Sequence, residues 1–149
     1  MNPDDRTRTG RTRVASHDVA RAKPKTLRYE IEVAGDGSLS LPGGSAFRPP
    51  DGWTADHLLL AALVRCSIES LRHHASRAGH ELRASGTAEG TIELRAEDGR
   101  FAFSAIDVHI RAAFDPPTNE PDDLFGRAEH DCFVGASLRV KPRYTWEAA

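Results

Sequence analysis

Two cysteines, Cys66 and Cys132, are the residues of this 149-residue chain best able to do chemistry. No apolar run typical of an export signal is present, and reducing compartments keep thiols open, so a permanent disulfide is not expected. Catalysis, redox sensing and burial as small apolar side chains remain. A thiol that reduces a peroxide must ionise, so it requires a lowered pKa, an apolar substrate pocket and a second thiol within reach.

The first cysteine is predicted to lie on a long helix. Thr54 has the position of an N-cap, Asp56 faces the positive end of the helix dipole in the first turn, and Gly79 stands where a helix normally ends. Cys66 then occupies the middle of this helix, beside Arg65, whose charge would favour the thiolate. The preceding run LLLAALV is apolar on every side, which predicts that sheet and other helices cover it all round.

The second cysteine is predicted to begin a short helix near the end of the chain. The segment Asp122–Asp131 has the pattern of a helix, and a short helix is favoured from Cys132 onward. Unsatisfied amides at such a helix start favour an anion or a good leaving group on the cysteine. Val140–Trp146 then completes the chain as a strand.

Two hairpins supply the predicted strands. Thr26–Val33 alternates apolar and polar residues as a half-buried strand does, and the turn AGDG leads into a second strand at Ser38–Leu41. Two longer strands, Leu82–Glu97 and Phe101–Phe114, follow the long helix and are joined by a DG turn. The apolar positions change phase within the later strand, which predicts a β-bulge near Ala105.

The order of these elements, ββ, long helix, ββ, two helices and β, predicts an α+β fold with sheet and helices in opposite layers. The length is that of one domain. We assign residues 26–149 to this domain. Residues 1–25, which contain a run of arginines and lysines, are predicted to form a flexible basic tail.

Composition argues against several classes of function. Hydrophobic residues make up 39% and charged residues 28% of the chain, and the formal net charge is -2, so nothing indicates a nucleic-acid partner. No stretch is long and apolar enough to span a membrane, so no membrane partner is expected, and the cytoplasm is the expected location. The histidines and cysteines form no tight ligand pair such as CxxC or HExxH, so no metal is expected.

Two cysteine motifs resemble those of a known family. The stretch TADHLLLAALVRCSIESLRHHASRAG has an acidic residue and paired leucines ahead of a mid-helix cysteine, and AEHDCFVGASL is followed by a closing strand. Together with the order of elements, these motifs resemble the OsmC and organic hydroperoxide resistance family. The resemblance implies an OsmC-like fold, with antiparallel sheets packed on a long central helix, and an interwoven homodimer with its active sites at the interface.

The resemblance also implies a mechanism and its partners. Cys66 would be the thiolate that reduces an organic hydroperoxide and becomes a sulfenic acid, and Cys132 would resolve that acid by forming a disulfide. An external dithiol reductant, such as a lipoylated protein, would restore both thiols, and no metal or organic cofactor would take part. The predicted function is that of a thiol-dependent peroxidase, an antioxidant oxidoreductase of the oxidative stress response.

Two further site residues are implied by the family's pattern, in which an acidic residue ten positions before the first cysteine pairs with an arginine that holds the thiolate. Asp56 takes the acidic position, where glutamate is more usual, and Arg48 is the preferred arginine, with Arg28 as the other candidate. Ten helical steps are about 15 Å, so contact between Asp56 and Cys66 would need the dimer interface or a bridging arginine. The plain alternatives are a helix N-terminal charge for Asp56 and a surface position for Arg48.

A different function would use the same fold. An OsmC-like oxidant sensor, or a small apolar ligand-binding protein, would keep the pocket and the thiols without fast turnover, and the missing arginine match favours it. Turnover separates the two, since a sensor is oxidised once whereas a peroxidase consumes hydroperoxide catalytically while dithiol is present. A purely structural role is the third alternative, in which replacing Cys66 by serine changes nothing.

Overall fold

The computed structural model of the chain describes residues 25–149. The predicted basic tail, residues 1–25, therefore lies outside the described residues except for its last position. The described residues form two units, one that ends at Arg48 and one that spans Pro49–Ala149, and each is described on its own. In this described part of the chain, no helix is both long enough and apolar enough to cross a membrane.

The first unit contains a short hairpin, as the sequence predicted. Strands β1 (Glu32–Val33) and β2 (Leu39–Ser40) pair antiparallel, and Gly37 takes a φ of 81° in the turn between them. The Asp36 carboxylate accepts hydrogen bonds from the side chain and the amide of Ser38, and these bonds lower the pKa of Asp36. The turn is thereby held by its own side chains.

The first strand is shorter than the predicted Thr26–Val33, because only its last two residues pair within this unit. The side chains that the alternation placed on a buried face are exposed instead: Leu27, Tyr29, Ile31 and Val33. An alternating pattern is typical of a strand with one covered face. Within the described residues of this unit, that face stays largely uncovered.

The long helix α1 spans Ala55–Arg77 and confirms the prediction from the cap residues. Thr54 precedes it in an extended conformation, and the His57 ring accepts a hydrogen bond from the Thr54 amide at 3.2 Å. Gly79, just past its end, has a φ of 86°, the left-handed conformation in which helices commonly stop. One stripe of α1 at four-residue spacing is fully buried: Leu63, Ser67, Leu71 and Ala75.

The apolar run LLLAALV is not covered all round, and that prediction is wrong for the described chain. Leu63 is buried, but the other residues of the run are half-buried or exposed: Leu58, Leu59, Leu60, Ala61, Ala62 and Val64. The reason is that α1 packs on the sheet and on the later helices along only part of its circumference. Apolar side chains therefore remain on the rest of its surface.

The main sheet begins with two long antiparallel strands, β3 (Glu81–Leu94) and β4 (Phe101–Asp115). Their register shifts between Thr91 and Ile92, which leaves Ser104 of β4 as the extra residue. This shift confirms the β-bulge that the change of apolar phase predicted. The bulge lets one strand present apolar residues to α1 on both sides of the irregularity.

The last strand corrects the prediction of antiparallel sheets. Helices α2 (Pro121–His130) and α3 (Phe133–Ser137) follow β4 as expected, and β5 (Arg143–Ala148) then pairs with β4. The β4–β5 pairing is parallel. The physical reason is that α2 and α3 form a crossover, which carries the chain back along the sheet before β5 begins. The α+β class itself is confirmed.

Helix α1 lies close on the sheet because β3 has a glycine where the two meet. A Cβ added to Gly86 would stand 3.0 Å from Val64 Cγ1 and 2.8 Å from the His109 carbonyl oxygen, so no larger residue fits without a shift. The core under the first half of α1 joins helix, sheet and the start of α3: Leu63, Ile106, Val108, Ile110 and Cys132. A second cluster joins the second half of α1 to α2: Leu71, Ala75, Ala112, Phe114, Leu124, Phe125 and Ala128.

Candidate active site between the long helix and the start of a short helix

Two elements bring the predicted thiols together. Cys66 lies in the middle of α1, and Cys132 is the N-cap residue of α3, as the sequence analysis expected. Cys66 packs against the buried cluster that contains Cys132, and the Cys132 side chain and the backbone amides of Phe133 and Val134 are close enough to shift the pKa of Cys66. Cys66 is partly exposed and Cys132 is fully buried, and both are free thiols. The two thiols are therefore neighbours in the fold.

The pKa of Cys66 is raised above its ordinary value of 9.0, whereas peroxidase chemistry led us to expect a lowered one. Burial is the largest cause, because a thiolate is less well solvated inside the protein, and the neighbouring Cys132 acts in the same direction. The amides of Val134 and Phe133 oppose burial, since donors to sulfur favour the thiolate. Arg65, expected to help, is not among the groups that shift this pKa.

The raised pKa predicts how the reactivity of Cys66 depends on pH. Only the thiolate reacts quickly with peroxide, and below the pKa its fraction grows about tenfold per pH unit. We expect the rate of Cys66 oxidation by a hydroperoxide to keep rising past pH 9.0, the ordinary thiol value. Stopped-flow oxidation across a pH series measures this, and a plateau near neutral pH would contradict it. The same raised pKa affects stability: the neutral Cys66 thiol stabilises the fold at pH values below the pKa of the unfolded chain, and this contribution is lost as the pH rises through the pKa of the folded chain.

Cys132 is held by polar and apolar contacts together. Its Sγ accepts a hydrogen bond from the Gly135 amide at 3.3 Å, and the Ser67 hydroxyl of α1 lies 3.4 Å from the same sulfur. A Cβ on Gly135 would stand 3.4 Å from Sγ, so the short helix passes close to the sulfur. Leu63 packs against Cys132 in the core. The position of this sulfur is therefore set by both helices.

Ser67 and Tyr144 belong to the site, although the sequence analysis did not name them. The Ser67 hydroxyl lies 2.9 Å from the Leu63 carbonyl oxygen and 3.0 Å from the Tyr144 hydroxyl. The sequence did indicate Ser67. It is the one polar residue among helix positions that recur every four residues and are otherwise apolar, such as Leu63 and Leu71. Tyr144 carried no such signal, because an aromatic residue in a strand commonly serves packing alone.

The residue before Cys132 is tied to α1. The Asp131 carboxylate lies 2.7 Å from His130 Nδ1 and 2.9 Å from His74 Nε2. The bonds from His130 and then from His74 lower the pKa of Asp131. Because His74 belongs to α1 and Asp131 follows α2, this contact keeps the start of α3 beside the helix that carries Cys66.

The structure does not bring Asp56 to Cys66. Both residues lie on the uninterrupted helix α1, ten positions apart, which is about 15 Å along its axis. Arg48 is the last residue of the first unit. The catalytic roles of Asp56 and Arg48 therefore stay predictions.

One cavity of about 550 Å³ lies between α1 and β3, but it does not serve Cys66. Its wall includes Trp53, Val64 and Ile68. At about 100° per residue, Val64 and Ile68 project from nearly the opposite side of α1 from Cys66. The apolar hydroperoxide pocket expected from the sequence stays a prediction. Among residues 25–149, no group of three or more His, Cys, Asp or Glu side chains is placed to hold a metal ion.

Fold and site together define an α+β protein with a pair of adjacent thiols. The model of the family described as OsmC-like protein matches residues 48–147, a span that includes both cysteines. The chain belongs to this OsmC-like family, and the resemblance of its two motifs is confirmed. No curated protein matches the chain.

Solved structures share the fold at low sequence identity. An OsmC-like protein of unknown function from Vibrio cholerae has a TM-score of 0.63 and 14% identity, over 73% of this chain and 82% of that one. An organic hydroperoxide resistance protein from Elizabethkingia anophelis has a TM-score of 0.60 and 21% identity, over 85% and 100%. The organic hydroperoxide resistance protein OhrB of Bacillus subtilis has a TM-score of 0.52 and 18% identity, over 84% and 98%.

Proposed function

We propose that the chain is a thiol-dependent peroxidase that reduces organic hydroperoxides, with Cys66 as the peroxidatic thiol and Cys132 as the resolving thiol. The observation that carries the proposal is that Cys66 packs against the buried cluster that contains Cys132, the N-cap residue of α3. Membership of the OsmC-like family supports a redox function. Two of the three solved structures described above are named organic hydroperoxide resistance proteins, which supports the substrate class.

The first step of the proposed reaction takes place at Cys66. Its thiolate attacks the terminal oxygen of the hydroperoxide, the O–O bond breaks, and the alkoxide takes a proton and leaves as an alcohol. Sulfur loses two electrons to the peroxide and becomes a sulfenic acid. The amides of Val134 and Phe133 assist this step, because they favour negative charge on the Cys66 sulfur.

The second step uses Cys132, and the third regenerates both thiols. The Cys132 sulfur attacks the Cys66 sulfenic acid, which gives a disulfide and water. An external dithiol, such as a lipoylated protein, then reduces the disulfide by two exchange steps and is itself oxidised to a cyclic disulfide. We place this cycle in the cytoplasm, where dithiol reductants keep such thiols reduced.

A second copy of the chain completes the site in our proposal. The side of α1 that carries Cys66 also carries the half-buried Leu59 and the exposed Ala62. Covering such side chains, together with the uncovered strand face of the first unit, would stabilise an interwoven homodimer by burial of apolar area. Asp56 and Arg48 would act across that interface, and the hydroperoxide pocket would lie there.

An oxidant sensor, or a small apolar ligand-binding protein, is the second candidate function. The raised pKa of Cys66 favours it, because a small thiolate fraction at neutral pH slows the reaction with a hydroperoxide. Both candidates use the same two thiols. They differ in the number of hydroperoxide molecules consumed per chain.

Consumption of cumene hydroperoxide by the full chain with excess dihydrolipoamide separates the two candidates. We expect many equivalents of hydroperoxide to be consumed per chain, whereas a sensor would stop after about one equivalent. Hydrogen peroxide is the comparison substrate, and we expect it to react more slowly because an apolar pocket binds it poorly. Equal rates on the two peroxides would contradict the assignment to organic hydroperoxides.

A further inference from the structure

Two hydroxyl groups near Cys132, those of Ser67 and Tyr144, have no role in the reaction steps proposed above. Ser67 Oγ is 3.4 Å from Cys132 Sγ and 3.0 Å from the Tyr144 hydroxyl. Ser67 is fully buried, and a buried polar group is costly unless it is bonded. Helix α1 thus supplies two neighbouring residues to the site, Cys66 as one thiol and Ser67 as a contact of the other.

The Ser67 hydroxyl has one hydrogen, and besides the Tyr144 hydroxyl it has two acceptors in reach, the Leu63 carbonyl oxygen and the Cys132 sulfur. A hydroxyl donates one hydrogen bond, accepts two, and rotates to suit its neighbours. Ser67 Oγ is placed as donor both to the Leu63 carbonyl oxygen at 2.9 Å and to Cys132 Sγ at 3.4 Å, but its one hydrogen cannot serve both. When Cys132 is a neutral thiol, the Leu63 oxygen is the better acceptor, and we infer that Ser67 Oγ then accepts from the Cys132 S–H. When Cys132 is a thiolate, its charge attracts the Ser67 hydrogen, because bonds to charged acceptors are stronger.

We propose that Ser67 and Tyr144 are positioning residues that hold Cys132 and stabilise its thiolate while the disulfide closes. We assign Tyr144 as the donor to Ser67 Oγ because Ser67 has only one hydrogen and already donates to the Leu63 carbonyl oxygen, and this assignment leaves the Ser67 hydrogen for either the Leu63 oxygen or the sulfur. The Gly135 amide supplies the second donor to the sulfur. This inference rests on the proposed function, because it concerns the second step of that reaction.

The closure step balances without any further reagent. The Cys132 sulfur attacks the Cys66 sulfur, the S–S bond forms as the S–O bond of the sulfenic acid breaks, and the departing oxygen takes the Cys132 proton and leaves as water. Negative charge develops on the Cys132 sulfur as its proton is lost. Burial raises the pKa of Tyr144 to about 12, so its hydroxyl stays protonated and available as a donor.

Rapid mixing of the reduced full chain with one equivalent of cumene hydroperoxide separates closure from the first step. We expect Ser67→Ala to slow closure by about 10- to 100-fold, the usual effect of losing a hydrogen bond to a charged group. Tyr144→Phe keeps the ring that stacks on Trp146 and removes only the hydroxyl, so we expect a loss of roughly 3- to 5-fold. Sulfenic acid formation, followed with a sulfenic-acid trap, should change much less than closure.

The S–H stretching band of Cys132 gives a readout that needs no hydroperoxide. The chain contains two cysteines, so Cys66→Ala leaves Cys132 as its only thiol. In that background we expect Ser67→Ala to move the infrared band to higher frequency, because the thiol loses the oxygen that accepts its hydrogen. A serine that served packing alone would leave the band where it is.

Ser76→Ala is the matched control, because Ser76 is an exposed serine of the same helix and the exchange has the same effect on helix propensity. It should leave closure and the band unchanged. The inference is overturned if Ser67→Ala and Tyr144→Phe both close at the native rate with an unmoved band. A native chain that fails to consume hydroperoxide would overturn the proposed function instead, and the band would still decide whether Ser67 bonds to Cys132.

Discussion

Replacing Cys66 with serine is expected to lower hydroperoxide consumption by at least about 1,000-fold. A serine hydroxyl does not ionise at neutral pH and forms no sulfenic acid, so the first step and everything after it are lost. Steady-state consumption of cumene hydroperoxide with excess dihydrolipoamide measures the change. The substitution alters one atom at a partly exposed site, so circular dichroism should show an unchanged fold.

Cys132→Ser is the matched variant, and it should behave differently. Without dithiol we expect it to consume about one equivalent of hydroperoxide rapidly and then stop, as the native chain does, but with Cys66 left as a sulfenic acid instead of a disulfide. The core should accept the change, since the Gly135 amide and the Ser67 hydroxyl are in place to bond to the new hydroxyl. Native turnover in Cys66→Ser would remove Cys66 from the mechanism, and native turnover in Cys132→Ser would remove Cys132.

The second large effect is expected from Leu63→Ala, which should lower the free energy of unfolding by about 3–5 kcal/mol. Leu63 is fully buried in the cluster that joins α1, β4 and Cys132, so its truncation leaves a cavity. Helix α1 already packs closely on β3 at Gly86, so it cannot move further toward the sheet to fill this cavity. Urea unfolding of both chains at the same protein concentration measures the loss. The dependence of the unfolding free energy on urea concentration should be the same for both chains if each unfolds in two states.

Leu94→Ala is the control for this prediction. Leu94 lies near the end of β3 with 59% of its surface exposed, so its truncation should change stability by no more than about 0.5 kcal/mol. A loss below about 1 kcal/mol for Leu63→Ala would show that the site collapses around the shortened side chain. We also expect Leu63→Ala to slow disulfide closure, because the buried cluster that holds Cys132 loses one of its members.

Much of the fold was predictable because its signals are local. A few neighbouring residues are enough to identify each of three features: the caps of α1, the DG turn between β3 and β4, and the bulge, where the apolar residues switch from odd to even positions. The direction of β5 was not predictable in this way. The direction of β5 depends on which end of the sheet the chain reaches after α2 and α3, and no short stretch of sequence indicates that.

The two thiols of the site were predictable from the residues around them, but their electrostatics were not. The pKa of Cys66 is set by the balance between burial and the amides of Val134 and Phe133, and burial depends on tertiary packing. Tyr144 lies 78 positions after Cys66 in the sequence, so only the fold brings its hydroxyl to Ser67.

The central claim is that Cys66 and Cys132 form one disulfide within a chain when a hydroperoxide is reduced. The most direct measurement is mass spectrometry of the reduced chain after one equivalent of cumene hydroperoxide, followed by proteolysis without reductant. We predict a loss of two hydrogens per chain and a linked pair of peptides that contain Cys66 and Cys132. Hydroperoxide left unconsumed beside two free thiols, or a disulfide that joins Cys66 of two chains, would contradict the account.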